Sequence, residues 1–311
     1  MGDPAGIGPE ITIKALVEND FDNLRIIGDR SVLEKTARNL KVSPGDFESA
    51  ISPFVLDQKN VPPDVVAGHE SAATGWASAE YIENAVELWR ENKLDAIVTA
   101  PISKNALAMA GYKYPGHTEF LADLTSTKEF AMSFFADKLR VVLLSTHVSL
   151  RNAIDLVKKE SLAELITFSS KELSRLLLRP VKLAVAGLNP HASENGMFGE
   201  EEEREIIPAI SECRDRGIDV SGPFSPDTIF LRGHRGEFDG VIACYHDQAT
   251  IAVKSLSFGE SVNVTLGLPL IRTSVDHGTA FDIAGKGVAD ASSMAAAIRL
   301  AIELSNQQDL A

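Results

Sequence analysis

Short apolar runs that end in polar side chains recur along this chain, and they set its predicted architecture. Residues 241–244 read as a strand buried on both faces, which stops at Tyr245, His246, Asp247 and Gln248, where the strand should leave its sheet. Two further runs behave alike: 139–147 ends in His147, and 181–191 ends in His191. Other strands are expected at 24–28 and 94–99. Helical patterns lie between them, at 31–40, 117–124 and 161–178, and at 69–91, where Ala72, Ala79, Ile82, Val86 and Trp89 fall near helical spacing. Residues 41–66, broken by Pro44, Pro53, Pro62 and Pro63, read as irregular. The alternation predicts an α/β protein with a largely parallel sheet.

In such a fold the carboxyl ends of the strands carry the chemistry. Taken singly, a histidine there is most simply a hydrogen-bonded strand end. As a set, His147, His191 and His246 read as metal ligands, because neutral imidazole is the commonest protein ligand for zinc-like divalent ions. Asp227 reads as a helix cap or as a partner orienting that site, and Asp247, beside a ligand, as a general base or an orienting group. The opening loop, residues 2–10, is glycine-rich and runs into a helix, with Pro9 suited to its first turn and Glu10 to its positive end. It is a tight turn or a close backbone approach to phosphate, and it lacks the G-x-G-x-x-G spacing. Lys104 follows a strand, as a phosphate contact or a solvated lysine. His117 and Thr118 open a helix after Gly116, where an anion can be held or Thr118 can merely cap. Lys254 and Arg272, with Asn263 beside them, are anion partners or members of buried ion pairs. Residues 276–287 are too polar and glycine-laden for core and should hold a ligand by backbone contacts. The acidic run 200–203 reads as a favourable first helical turn, His69 as a surface or capping residue, and His234 as a surface residue.

Composition narrows the classes. With 311 residues, 44% hydrophobic and 24% charged, the chain is long enough for two modest domains and is neither disordered nor fibrous. A formal net charge of −14 argues against nucleic acid or an anionic membrane as partner. Two cysteines, Cys213 and Cys244, make no disulfide framework, and no apolar run approaches a membrane span. A cytoplasmic protein is expected.

Several motifs, in this order, carry a resemblance that covers nearly the whole chain. Pro115-Gly-His-Thr-Glu, Ser145-Thr-His, Leu188-Asn-Pro-His-Ala, Tyr245-His-Asp-Gln, and Asn263 with Leu266-Gly-Leu-Pro and Arg272-Thr-Ser resemble the 4-hydroxythreonine-4-phosphate dehydrogenase (PdxA) family. Residues 2–10 and 276–287 resemble the opening loop and adenine-nucleotide loop of isocitrate and isopropylmalate dehydrogenases. The family more often has Asp-Gln-Gly after the third histidine and a strand before the opening loop, whereas this chain reads Asp-Gln-Ala and begins inside that motif.

The resemblance implies an isocitrate/isopropylmalate dehydrogenase-like α/β fold of two subdomains with a cleft between them: 1–116 plus 258–311 for NAD, and 117–257 for metal, substrate and dimerisation. It implies one divalent metal (zinc, magnesium or cobalt) on His147, His191 and His246, substrate contacts from His117, Thr118, Lys254, Asn263 and Arg272, and NAD on His277, Gly278, Thr279, Ala280, Asp282 and Gly285. A homodimer with a shared active site is expected. The implied reaction is oxidation at C3 of 4-phosphooxy-L-threonine with loss of CO2; sister branches act on 4-phospho-D-threonate or 4-phospho-D-erythronate. Two other classes stay in view: an acyltransferase acting on phosphate, which needs no nucleotide loop, and a non-catalytic phosphometabolite sensor, which binds without making NADH.

Overall fold

The computed structural model describes residues 1–257 and 259–309. The chain divides into two compact units, Met1–Lys128 with Leu268–Ile302, and Glu129–Gly267 with the segment from Glu303 onward. Residues 117–128 thus fall with the first unit and 259–267 with the second. Residue 258 and residues 310 and 311, which the sequence placed in the NAD subdomain, lie outside the described residues.

The first unit opens with α1 (Gly8–Glu18), whose first turn contains Pro9 and whose Ile11, Ala15 and Leu16 are buried. It continues through β1 (Ile26–Gly28), α2 (Arg30–Asn39), α3 (Pro44–Ala50), β2 (Val55–Asp57), α4 (Ala72–Arg90), β3 (Ala96–Thr99), α5 (Lys104–Met109) and α6 (His117–Leu124). Residues 41–66, expected to be irregular, hold α3 and β2. The prolines there do not break helices: Pro44 sits at the start of α3, where a missing N–H costs nothing, and Ser43 caps it by accepting from Asp46 N at 3.0 Å. Strand β2 pairs in parallel with β1. Ser71 and Thr74 form a reciprocal capping box that starts α4 three residues later than its apolar pattern.

In the second unit β4 (Ala131–Ala136) and β5 (Leu139–Leu143) form an antiparallel hairpin whose turn residue Asp137 has φ 53°. Then come α7 (Leu150–Asp155), α8 (Lys159–Leu177), β6 (Leu183–Ala186), α9 (Ile207–Asp215), β7 (Val220–Phe224), α10 (Pro226–His234), β8 (Gly240–Ala243), α11 (His246–Leu256) and β9 (Val262–Leu266). Within this unit the strands lie in the order β9, β4, β5, β8, β6, β7. The sheet is parallel from β5 to β7, as the run pattern predicts, but β4 is antiparallel to both β5 and β9. A two-residue connection permits only a hairpin, since a parallel return needs a long crossover. The chain then re-enters the first unit as β10 (Ile271–Ser274), parallel to β3, and ends in α12 (Ser292–Asp309).

Each unit closes its own apolar core. Ile7, Ile11, Ile26, Leu33, Phe47 and Ile298 anchor one cluster of the first unit, and Phe134, Leu139, Val141, Ile229, Val241 and Val253 the core of the second. Burying such a side chain contributes roughly 1.5–3 kcal/mol. His234, read as surface, is the last residue of α10 and half-buried, with Nδ1 enclosed and unpartnered among the described residues. Among the described residues no helix is long and apolar enough to cross a membrane.

Candidate functional site

The three strands expected to deliver histidines are neighbours in one sheet, in the order β5, β8, β6, all parallel. Their ends are laced together. Ser145 Oγ donates to Cys244 O at 3.0 Å, Gln248 Oε1 accepts from Cys244 N at 2.7 Å, and Gln248 Nε2 donates to Gly187 O at 2.8 Å. Burial pushes the Cys244 thiol up to about 12, so it is a packing group and no nucleophile.

On this frame the rings of His147 and His246 come to 5.7 Å between centroids. His246 is the first residue of α11, and its Nδ1 donates to Asp247 Oδ1 at 2.7 Å. A carboxylate only accepts, so in the neutral imidazole this contact puts the proton on Nδ1 and leaves the Nε2 lone pair for a metal. That contact is the geometry of an orienting carboxylate. His191 is not gathered with the pair: its ring faces Phe198 at 6.3 Å, and among the described residues no three His, Cys, Asp or Glu side chains are close enough to share a metal. Two imidazoles with one oriented from behind fit a divalent ion's donor chemistry, and this chain alone brings two of the three histidines together. Lys254, exposed on α11, and Asn263, half-buried on β9, belong to the same unit. Asp227 receives the Ser225 hydroxyl at 2.5 Å and is not the cap of α10, whose N-cap residue is Ser225.

The first unit assembles the remaining candidates. Arg272, on β10, is buried and donates through Nε and Nη2 to Thr99 Oγ1 at 3.2 and 2.8 Å. Burial lowers its guanidinium to about 10, which Glu119 opposes, so it stays charged at neutral pH. His117, the first residue of α6, is held well below its usual range by burial and by Arg272, and is therefore neutral. The N-cap of α6 is Gly116, with no side chain to cap it; Thr118 does not cap the helix. A charged guanidinium, a neutral imidazole and an uncapped helix start are groups whose chemistry suits an anion.

The two glycine-rich loops meet. Ile7 N donates to Thr279 O at 3.0 Å, and a Cβ on Gly6 would sit 3.1 Å from the same carbonyl. Glu10, expected only to favour a helix end, is 2% exposed and accepts from Ala289 N at 2.8 Å and Gly287 N at 3.2 Å. Lys14 completes the clamp on the Gly287 and Ala289 carbonyls at 3.0 and 2.6 Å. Nothing lies within 4 Å of where a Cβ on Gly278 would be. His277 Nε2 is enclosed and has no hydrogen-bond partner among the described residues. An enclosed polar atom beside an open glycine fits a loop that completes its hydrogen bonds on a ligand.

Sequence reasoning missed Asp3, Glu70 and Glu202. Asp3 is fully buried, accepts from Ala5 N at 2.9 Å and from the Thr74 hydroxyl, and burial raises its carboxyl to about 6. Glu70 receives the Ser103 hydroxyl and the Asn105 amide, the residues on either side of Lys104, and these bonds lower its carboxyl below the usual range. Glu202 lies under the His191 loop. Its signal was present: with Ile206 and Ile210 it occupies an apolar stripe, where a carboxylate needs a reason.

A family model described as pyridoxal phosphate biosynthetic protein PdxA matches residues 20–301. A Cupriavidus necator protein named D-threonate 4-phosphate dehydrogenase is 45% identical, with 99% of this chain and 96% of that one covered. One from Desulforapulum autotrophicum named 4-hydroxythreonine-4-phosphate dehydrogenase is 42% identical, covering 97% and 93%. A Klebsiella pneumoniae crystal structure titled 4-hydroxythreonine-4-phosphate dehydrogenase superposes with a TM-score of 0.88 at 42% identity, covering 98% of each chain. Fold and relatives thus define an α/β oxidoreductase of the dehydrogenase class. The chain belongs to the PdxA family.

Proposed function

We propose that this chain is an NAD- and divalent-metal-dependent dehydrogenase that oxidises the C3 hydroxyl of D-threonate 4-phosphate. Hydride leaves C3 for NAD, the hydroxyl proton leaves to solvent, and the resulting β-keto acid loses CO2 to give a three-carbon phosphorylated ketone. The observation that carries the reading is the His147–His246 pair with Asp247 behind it. The substrate assignment draws on relatives named for D-threonate 4-phosphate, the 45% identical Cupriavidus necator protein among them. The second reading, 4-phosphooxy-L-threonine giving 3-amino-2-oxopropyl phosphate, draws on the 42% identical Desulforapulum autotrophicum relative and the family description.

His147, His191 and His246 would hold the metal in an active site shared between two subunits, since within this chain only His147 and His246 come together. When bound, the ion supplies a Lewis acid that makes the hydroxyl more acidic and later favours loss of CO2. Asp247 fixes the His246 tautomer. Arg272, neutral His117 and the uncapped N–H groups at Thr118 bind the phosphate, with Lys254 and Asn263 as further substrate contacts. His277, Gly278, Thr279, Ala280, Asp282 and Gly285 orient NAD. Homodimerisation is supported by Val148, Leu150, Met197 and Phe198, which flank His147 and His191 and stay 45, 60, 72 and 44% exposed. Buried free thiols at Cys213 and Cys244 support a reducing compartment, the cytoplasm.

The test is NADH absorbance with each acid, with added zinc, magnesium or cobalt and again after chelation. Metal-dependent NADH from D-threonate 4-phosphate is expected. NADH only from 4-phosphooxy-L-threonine would establish the second reading, and none from either, or turnover indifferent to chelation, would overturn both.

A further inference from the structure

Residues 191–195 all have φ between 46° and 71°, five consecutive non-glycine residues in the left-handed region. L residues resist that conformation, and a run of them persists only where the surroundings over-determine it. Here the surroundings converge on one side chain. Glu202 is 1% exposed; Oε1 accepts from Asn189 N at 2.7 Å and Oε2 from Asn189 Nδ2 at 2.8 Å, while Glu201 takes the other amide hydrogen at 2.7 Å. A wide π-turn at Glu202–Ile206, of the kind that marks functional positions, sets Glu202 inward. The packing is closed at both ends of the loop. A Cβ on Gly187 would lie 2.8 Å from Ala192 Cα and 3.1 Å from Glu202 Oε1, and one on Gly199 would strike the Asn189 amide. A fully buried carboxylate is costly and is not needed merely to connect β6 to α9. At the tip of this braced loop His191 stands exposed.

We propose that Glu202 is a positioning residue that braces the His191 arm in the geometry for binding metal; this rests on His191 being a ligand. The experiment measures cobalt(II) affinity of the full-length protein by calorimetry, together with the visible spectrum of bound cobalt, for the native chain and for His191→Ala, Glu202→Gln and Asn189→Ala. Glu202→Gln keeps the size and removes the second acceptor facing Asn189. It should weaken cobalt binding by about 10–100-fold and alter the spectrum, with NAD affinity unchanged. Should Glu202→Gln fail to fold, Asn189→Ala, which cuts the brace from the loop side, must show the same loss. If His191→Ala loses cobalt while the brace variants bind it as the native chain does, the positioning role is wrong. If His191→Ala binds cobalt like the native chain, the ligand reading fails, and the brace falls with it.

Discussion

Asp3 and His117 titrate in opposite senses, and the contrast is measurable. Asp3 is easier to protonate folded than unfolded, rising from 3.8 to about 6, so its contribution to stability is fully present below pH 3.8 and is lost as pH rises towards 6. At 1.36 kcal/mol per unit, holding it ionised in the buried loop costs at most about 3 kcal/mol. Asp3→Asn should therefore be as stable as the native chain at pH 3.5 and more stable at pH 8, in urea midpoints followed across that range; an equal loss at both would refute it. His117 is depressed below 6.5, so its contribution is present above pH 6.5 and is lost as pH falls through its lowered value. His117→Gln should flatten the acid-side fall in the same measurement, and a curve as steep as the native one would count against neutral His117.

Elements meet at one point that admits no side chain. A Cβ on Gly75 of α4 would run into the main-chain carbonyl of Ala106 on α5, the helix that begins at Lys104. Gly75→Ala must push α5 away, and backbone cannot yield as a flexible side chain does. The expected loss is roughly 1–3 kcal/mol in denaturant unfolding, despite alanine's better helix propensity. A stabilised variant would show that α5 is free to move. This scale also shows what the chain discloses. Strands 241–244 and 181–187 were legible because both faces are buried and the apolar run is continuous. The helix of α3 was not, because proline is a breaker inside a helix and a starter at its first turn, and only the Ser43 cap separates the two. The antiparallel β4 escaped for another reason: pairing direction follows from connection length, which needs correct strand ends. In the site, single histidines were visible as strand-end residues, but Glu10 was not, since a carboxylate in a first helical turn has an adequate local explanation.

Across the whole molecule, the imidazole pair belongs to one unit and the glycine-rich loop pair to the other. If each unit holds its own ligand, chelation should abolish turnover while leaving NAD affinity within about twofold, measured by calorimetry on the chelated protein; a tenfold loss would show that the metal also orders the nucleotide loops. The lacing of the three strand ends by Gln248 and Ser145 has an evolutionary consequence. Spacing between the three strands that end in histidines is gauged by main-chain atoms, the Ser145 hydroxyl and the Gln248 amide, so it is insulated from whatever residues line the surrounding loops. Such a frame lets the loops around it change without resetting the strand ends, in keeping with relatives of nearly equal similarity that bear the names of different substrates.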